Sequence, residues 1–314
     1  MAIDTTAAAP ATTPAPSPGH RRPPHETVWR RIGGYAARLI LVVFFAFPIV
    51  FMFVSSLKPD DQIFKDISSL KAFLPVGHVS LDNYTTVFDT VPAGRFLLNS
   101  IGLSVVTVAL GLVVNSMAAF ALSRMRWRGS GIVLSAIIAT LVVPFETFAL
   151  PLVWWVNKLP WLTVRGGVPL WDFGWLDTYR VQFMPFIANA FAIYLFYSYF
   201  QSIPKDLDEA ARVDGAGWFR IYRSVIMPLS GPATATVSIL TFLPAWNQYL
   251  WPLMVIQSEQ LRPVMVGVSY FFQLKVQWGP MMAYSTLITI PVLVLFLCFQ
   301  RAFIGSIAAS GVKG

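Results

Sequence analysis

From Gln201 to Pro228 the chain reads QSIPKDLDEAARVDGAGWFRIYRSVIMP, a polar stretch set between two long apolar runs. Pro204 suits the start of a helix, and Asp206, Asp208 and Glu209 crowd its amino end, where the helix dipole favours negative charge. A helix is therefore expected to begin there. Gly215 and Gly217 supply permissive backbone to end it, and Pro228 closes a second short stretch before the next apolar run. Apolar residues recur at Leu207, Ala211, Trp218, Tyr222 and Val225, near helical spacing, so one face can pack while the other stays charged. The small pair Ala210 and Ala211 lets another surface approach closely. Periodicity leaves two readings open: an amphipathic connector lying on lipid, or an element on which a second protein docks.

The runs on either side decide the solvent. The 314 residues are 56% hydrophobic and 12% charged, with a mean hydropathy of +0.62, too apolar for a surface wholly in water. Stretches long enough to cross a bilayer fall near residues 39–57, 96–122, 132–156, 181–200, 233–256 and 281–299. None alternates as barrel strands do, and backbone in hydrocarbon must be paired internally, so the expected fold is an all-α membrane protein with six transmembrane helices. The domain is expected over residues 28–314, behind a disordered tail at residues 1–27 that is rich in Ala, Thr and Pro. The run Leu39 to Leu57 is about 28 Å as a helix, and it reads as a retained anchor instead of a signal core. Lys and Arg are more numerous in the segments that share a side with the termini. Arg124, Arg126 and Arg128, tightly clustered in a very short turn, weigh most. Both termini and the loop between the fourth and fifth spans are thus expected in the cytoplasm.

Several function classes drop out. The net charge of +8 lies in short clusters between apolar runs, a pattern unlike a nucleic-acid surface. Cys298 is the single cysteine, so no internal disulfide forms. His20, His25 and His78 lie outside the spans, and neither His-Glu-x-x-His nor Gly-x-Ser-x-Gly occurs, which leaves no metal or serine hydrolase site in the bilayer. No phosphate loop of the form Gly-x-x-x-x-Gly-Lys-Ser/Thr is present, and Arg220 occupies the third glycine position after Gly215 and Gly217. Asn83-Tyr84-Thr85 matches a glycosylation acceptor, a pattern too short to carry weight.

Within the spans, Glu146 is the one Asp, Glu, Lys or Arg well inside the expected boundaries, and Pro144 and Pro151 flank it. It fits a solute path, and equally a structural partner for a neighbouring helix or a place near the outer surface. An ion-coupled secondary carrier would ordinarily need several such groups. Trp246, Asn247, Gln248, Tyr249 and Trp251 cluster in the fifth span. Aromatic faces and amides suit the C–H faces and hydroxyls of a sugar, while an interfacial aromatic belt explains the same residues. Trp154, Trp155, Trp161, Trp171 and Trp175 read as belt residues.

Glu209-Ala210-Ala211, then Gly215, then Val225-Ile226-Met227-Pro228 resembles the motif of permease subunits of ABC importers, with Val225 and Met227 standing where Ile and Leu are usual. Ser56-Leu57-Lys58-Pro59, Asn99-Ser100, Leu122-Ser123-Arg124-Met125-Arg126 and the run from Trp246 to Leu253 are similar to the carbohydrate branch. The ending Gly311-Val312-Lys313-Gly314 is similar to the maltose-type second permease. The resemblance implies a chain that is not itself an enzyme, a multi-pass protein of the bacterial inner membrane. It would move a sugar or sugar derivative inward, a non-sugar solute being the alternative within the family. It also implies a second homologous permease, an extracytoplasmic solute-binding protein and a dimeric cytosolic ABC ATPase that alone holds ATP and Mg. Glu209, Ala210, Ala211, Asp214, Gly215, Ala216, Trp218 and Pro228 would couple to that ATPase, and Glu146, Trp246, Asn247, Gln248 and Tyr249 are candidates for the solute path.

Overall fold

The computed structural model describes residues 28–125, 127–165, 167–272 and 276–311, with side chains described for all of these except residues 28–32, 164, 165, 168 and 298–311. The expected tail, Arg126, Cys298 as a side chain and the last three residues therefore lie outside it. Among the described residues fifteen α-helices follow in order: α1 (Val28–Ser55), α2 (Asp60–Asp66), α3 (Asp82–Thr90), α4 (Ala93–Arg124), α5 (Ser130–Ala139), α6 (Phe145–Val156), α7 (Tyr179–Phe183), α8 (Ala190–Ser202), α9 (Asp206–Val213), α10 (Trp218–Ile221), α11 (Met227–Leu229), α12 (Gly231–Trp246), α13 (Leu250–Val255), α14 (Val264–Gly267) and α15 (Trp278–Gly311). Two antiparallel strands, β1 (Pro160–Arg165) and β2 (Val168–Phe173), form a hairpin between α6 and α7, a small addition to the expected all-helical class.

The described residues divide into two compact units, one up to Ile49 and one from Val50 onward. In the first, Leu39, Ile40, Val42, Phe44 and Phe45 are exposed along α1, and the Arg38 guanidinium lies 5.5 Å from the centre of the Tyr35 ring. Apolar side chains left open along a whole helix fit a solvent of lipid.

Among the described residues three stretches, Gly33–Ser55, Ala93–Arg124 and Trp278–Leu297, are long and apolar enough to cross a membrane unbroken. Three more qualify only as bent pairs: Ser130–Val142 with Phe145–Val156 (106°), Tyr179–Phe186 with Ala190–Ser202 (42°), and Trp218–Leu229 with Gly231–Trp246 (82°). Six spans result if each pair is one span, but the runs near 132–156, 181–200 and 233–256 are not continuous helices. The breaks have local causes. Pro144 lacks an N–H, and Val143 before it is extended (φ −85°, ψ 114°), as a residue preceding proline prefers. Asn189 caps α8, its side chain accepting a hydrogen bond from the Ala192 N–H. In the fifth apolar run α12 stops at Trp246, and the chain turns through residues 247–249 before α13.

Within the second unit α4 is the helix against which α8 and α12 pack, and α15 packs on α12 and α3. Its inward side carries Asn99, Ser100, Thr107, Asn115 and Ser116, all buried. Asn99, Ser100 and Asn115 serve backbone groups outside α4, while Thr107 and Ser116 return their hydroxyls to carbonyls of α4 itself. Asn99 donates to the Gln260 and Arg262 carbonyls (2.9 Å each), and Ser100 accepts from the Val264 N–H (2.7 Å). Asn115 donates to the Ile187 carbonyl (2.9 Å) and accepts from the Asn189 N–H (2.8 Å), satisfying both sides of the α7/α8 break. Broken backbone at membrane depth persists only where such partners exist. Each such bond contributes roughly 0.6 kcal/mol on average. Asn83, the glycosylation match, is used in the same way: it donates to the Ser56 and Lys58 carbonyls (2.9 and 2.8 Å).

Candidate functional site

The loop after α8 forms as the sequence suggests, with one face rooted in the bundle and one left open. α9 begins at Asp206 with Pro204 just outside it, and Asp206, Asp208 and Glu209 fill its first turn. It ends in a Schellman turn: the Gly215 N–H donates to the Arg212 carbonyl (2.9 Å) and the Ala216 N–H to the Ala211 carbonyl (2.9 Å). Gly215 takes φ +78°, a left-handed conformation that side chains resist. Gly217 does not share that role. It precedes α10 in an extended conformation (φ −73°, ψ 166°) open to any residue. Before Pro228, which has no N–H to give the Ser224 carbonyl, residues Tyr222–Ile226 widen into a π-helical turn.

The rooted face contains Ile221 and Ile226, both fully buried, with Ala211, Ala216, Trp218, Tyr222 and Val225 partly buried around them. Phe120 of α4 meets the rings of Trp218 (6.1 Å) and Tyr222 (5.4 Å), and the Tyr222 hydroxyl lies 2.8 Å from Ser116 Oγ. The Arg212 guanidinium stacks 3.9 Å over Trp218, joining α9 to α10. Two positions depart from the expected pattern. Leu207 faces outward, 41% exposed, while Asp208 is turned in and buried. The cause is Arg124, the last residue of α4, whose side chain is 1% exposed. Its Nη1 donates to Asp208 Oδ2 (3.0 Å), and its Nη2 donates to the carbonyls of Phe200 and Ile203 (the latter at 2.8 Å). One arginine of the Arg124, Arg126 and Arg128 cluster, read from sequence as a topology signal, is thus a buried fork holding α4, the end of α8 and the start of α9. Arg128 of the same cluster is exposed.

The open face presents Glu209, Ala210, Asp214 and Gly215, all exposed, with Leu207, Val213 (89% exposed) and Phe219 (65% exposed) around them. Pro228 is exposed further along.

A cavity of about 920 Å³ opens where three chain breaks meet. Thr140, Leu141 and Val143 come from the α5/α6 break, Phe186, Ala188 and Asn189 from the α7/α8 break, and Asn247, Gln248 and Tyr249 from the turn after α12. Phe145, Phe186 and Trp251 build an aromatic wall with ring centres 5.6–6.0 Å apart, and the Trp251 Nε1–H donates to the Val181 carbonyl (2.8 Å). Of the five path residues expected from sequence, Asn247, Gln248 and Tyr249 line this cavity. Trp246 does not: it is 1% exposed, stacked on Phe242 one helical turn earlier, because α12 has not yet ended there. Glu146 does not line it either. It is exposed in the first turn of α6, where the helix dipole favours a carboxylate. The expected belt also divides, with Trp154, Trp155 and Trp171 exposed and Trp161 packed between Trp175 (6.3 Å) and the Arg180 guanidinium (4.2 Å).

Residues 108–308 match the family described as "Binding-protein-dependent transport system inner membrane component". The chain belongs to that family of transport permease subunits. The arabinooligosaccharides transport system permease protein AraQ of Halalkalibacterium halodurans is 29% identical to it over 293 residues, covering 91% of this chain and 96% of its own length. The trehalose transport system permease protein SugB of Mycobacterium tuberculosis is 31% identical over 291 residues, covering 91% of this chain and 99% of its own. The fold is shared with a bacterial ABC transporter involved in the import of the acidic polysaccharide alginate, with a TM-score of 0.70 at 23% identity over 89% of this chain and 99% of that one.

Proposed function

We propose that this chain is the permease through which a binding-protein-dependent ABC importer moves a sugar, most simply a di- or oligosaccharide, into the cell, with ATP and Mg held by a separate cytosolic ATPase dimer. The observation that carries the reading is the open face of the loop from Gln201 to Ser230: Val213 and Phe219 are left exposed on an element whose other side is fixed into the bundle. Apolar side chains held so rigidly in the open mark a surface made for a partner. Glu209, Ala210, Ala211, Asp214, Gly215, Ala216 and Trp218, with Pro228, form or support that surface. The concentration of Arg near it supports a cytoplasmic position for the loop and for both termini. A second permease, facing this one, and an extracytoplasmic binding protein complete the machine.

The cavity is the proposed solute path. Its aromatic wall and the Asn247, Gln248 and Tyr249 turn offer stacking faces beside amide and hydroxyl groups, a chemistry matched to sugars. The names of the relatives support a carbohydrate, and the interruptions of three helices at one place support a path through the bilayer.

Reversing charge on the open face tests the reading. Glu209→Lys is expected to abolish co-purification of the ATPase while the permease still inserts. Wild-type recovery of the ATPase, with wild-type stimulation of its hydrolysis, is the opposing result. Accessibility gives an independent check: a cysteine at Phe219 should resist a membrane-impermeant maleimide added to whole cells, and rapid labelling from outside would end the proposal.

A further inference from the structure

Resting on that reading, we infer that Arg124 is a positioning residue of the transport cycle: its guanidinium is the joint through which movement of α9 reaches the spans α4 and α8. Three observations converge. Arg124 sits at the end of the longest unbroken apolar helix described before α15, Ala93–Arg124, so what moves its side chain acts on a rod 32 residues long. Its Nη2 binds the carbonyl of Ile203, just past the end of α8, and that of Phe200, which also accepts from the Ile203 N–H, so it grips α8 where the helix ends. Its Nη1 binds Asp208 in the first turn of α9. One planar group therefore spans three elements, a task suited to the rigid fork of arginine and poorly served by the point charge of lysine.

The remaining ties between the loop and α4 are of a different kind. Trp218 and Tyr222 contact Phe120 by ring edges, and Tyr222, in the π-helical turn, adds one uncharged hydroxyl contact to Ser116 Oγ (2.8 Å). Such contacts slide with little loss, whereas a buried charge cannot leave its partner without a large penalty. Arg124 Nε and Asp208 Oδ1 are both buried without a partner. The carboxylate can thus turn from its end-on bond toward Nε and stay paired throughout, so the joint swivels instead of opening. The first turn of α9 is held to α4 and α8, while its far end, tied to α10 by Arg212 over Trp218, leaves Val213 and Gly215 exposed to be driven.

The test uses the complete importer, with the partner permease, ATPase and binding protein, in lipid nanodiscs. Thr140, at the rim of the cavity, is replaced by cysteine in a Cys298→Ser background, and its reaction with an impermeant maleimide is timed with and without ATP and vanadate. With Arg124 present, nucleotide trapping is expected to change the rate about tenfold, within the 5- to 150-fold range that couplings between sites span. In Arg124→Lys the ATPase should still co-purify and hydrolyse ATP at its basal rate, but the ratio should fall close to one. Asp208→Asn, which keeps the shape and the two carbonyl bonds, should give an intermediate ratio. A full response in both variants overturns the inference, and so does loss of the ATPase from both, which would make the pair a docking element only. If the parent with Arg124 intact neither binds the ATPase nor responds to nucleotide, the coupling reading itself falls, independently of the joint.

Discussion

Lys58 and Arg124 both stand at the end of a long apolar helix, and both are buried against a carboxylate at about 3 Å. Their reach differs. Lys58 binds Asp66 eight residues on and the Lys71 carbonyl (2.7 Å), so it closes one loop upon itself. Arg124 binds Asp208, 84 residues on, and the end of α8 besides. The first arrangement stiffens a connection, and the second makes a connection move with the spans. Solvent separates them only slightly, since both cations are 1% exposed and Asp66 keeps 14% of its side chain exposed against 9% for Asp208. A third pair, Lys65 with Asp61, has the same charges and a similar distance (3.1 Å) with both partners in water. The three form a series in which geometry is nearly constant and burial changes.

The largest effect is expected at the long-range pair. Arg124→Ala leaves Asp208 buried and unpaired and takes a donor from the Ile203 carbonyl, a loss of about 3–5 kcal/mol for breaking such a pair. Thermal unfolding of the purified permease in detergent measures it, and a wild-type midpoint would erase the contrast with Lys58. Next comes Gly215→Val, which forces a β-branched side chain into φ +78° at an open site where nothing lies within 4 Å of the added Cβ. Its cost is about 1–2 kcal/mol of backbone strain. Transport should fall more than the yield of folded protein, because the strain falls on the turn that carries the open face. An equal fall in both would make the turn purely structural.

Lys58→Ala should destabilise less than Arg124→Ala in the same assay, since Asp66 can recover water. Its pH dependence sharpens the point. The hydrogen bond from Lys58, opposed by some desolvation, holds the Asp66 carboxyl below its ordinary range. A lowered folded value means that the stabilisation is complete above the ordinary carboxylate range and is lost as pH falls through the lowered one. Wild type should therefore lose stability on acidification below about pH 4 more steeply than Asp66→Asn. Parallel curves would show that this pair contributes nothing. The smallest effect is Lys65→Ala, where an exposed i,i+4 pair screened by water should leave the midpoint unchanged.

Much of the loop was legible in the order of residues. The acidic first turn, Gly215 as the terminator and the apolar side of α10 follow from local rules, and each is found. What escaped was the inward face of α9. Spacing placed Leu207 there, yet Asp208 occupies it, and the signal was present: Asp208 lies three residues before Ala211, on the side that packs. A carboxylate on a packed side requires a cation, but which of three arginines supplies it depends on where α4 ends relative to α9. The cavity shows the same division. Asn247, Gln248 and Tyr249, picked out by chemistry, line the cavity, whereas Trp246 is packed in the core because α12 still includes it. Glu146, conspicuous as an intramembrane acid, sits in the first turn of a helix created by the break at Pro144.

Sequence alone determined that the solvent is lipid, that helices cross it and which loop is polar enough to face a partner. Hydropathy, proline and helix-end preferences act over a few residues, and they are written in order along the chain. Tertiary structure alone decided that Arg124 grips two other helices, that Asn115 mends the break at 187–189 and that three separate interruptions open on one cavity. Those choices compare groups some 70 to 160 positions apart. The physical reason is desolvation: a buried charge or bare carbonyl must find a partner somewhere, and only the packed bundle fixes which one lies within 3 Å.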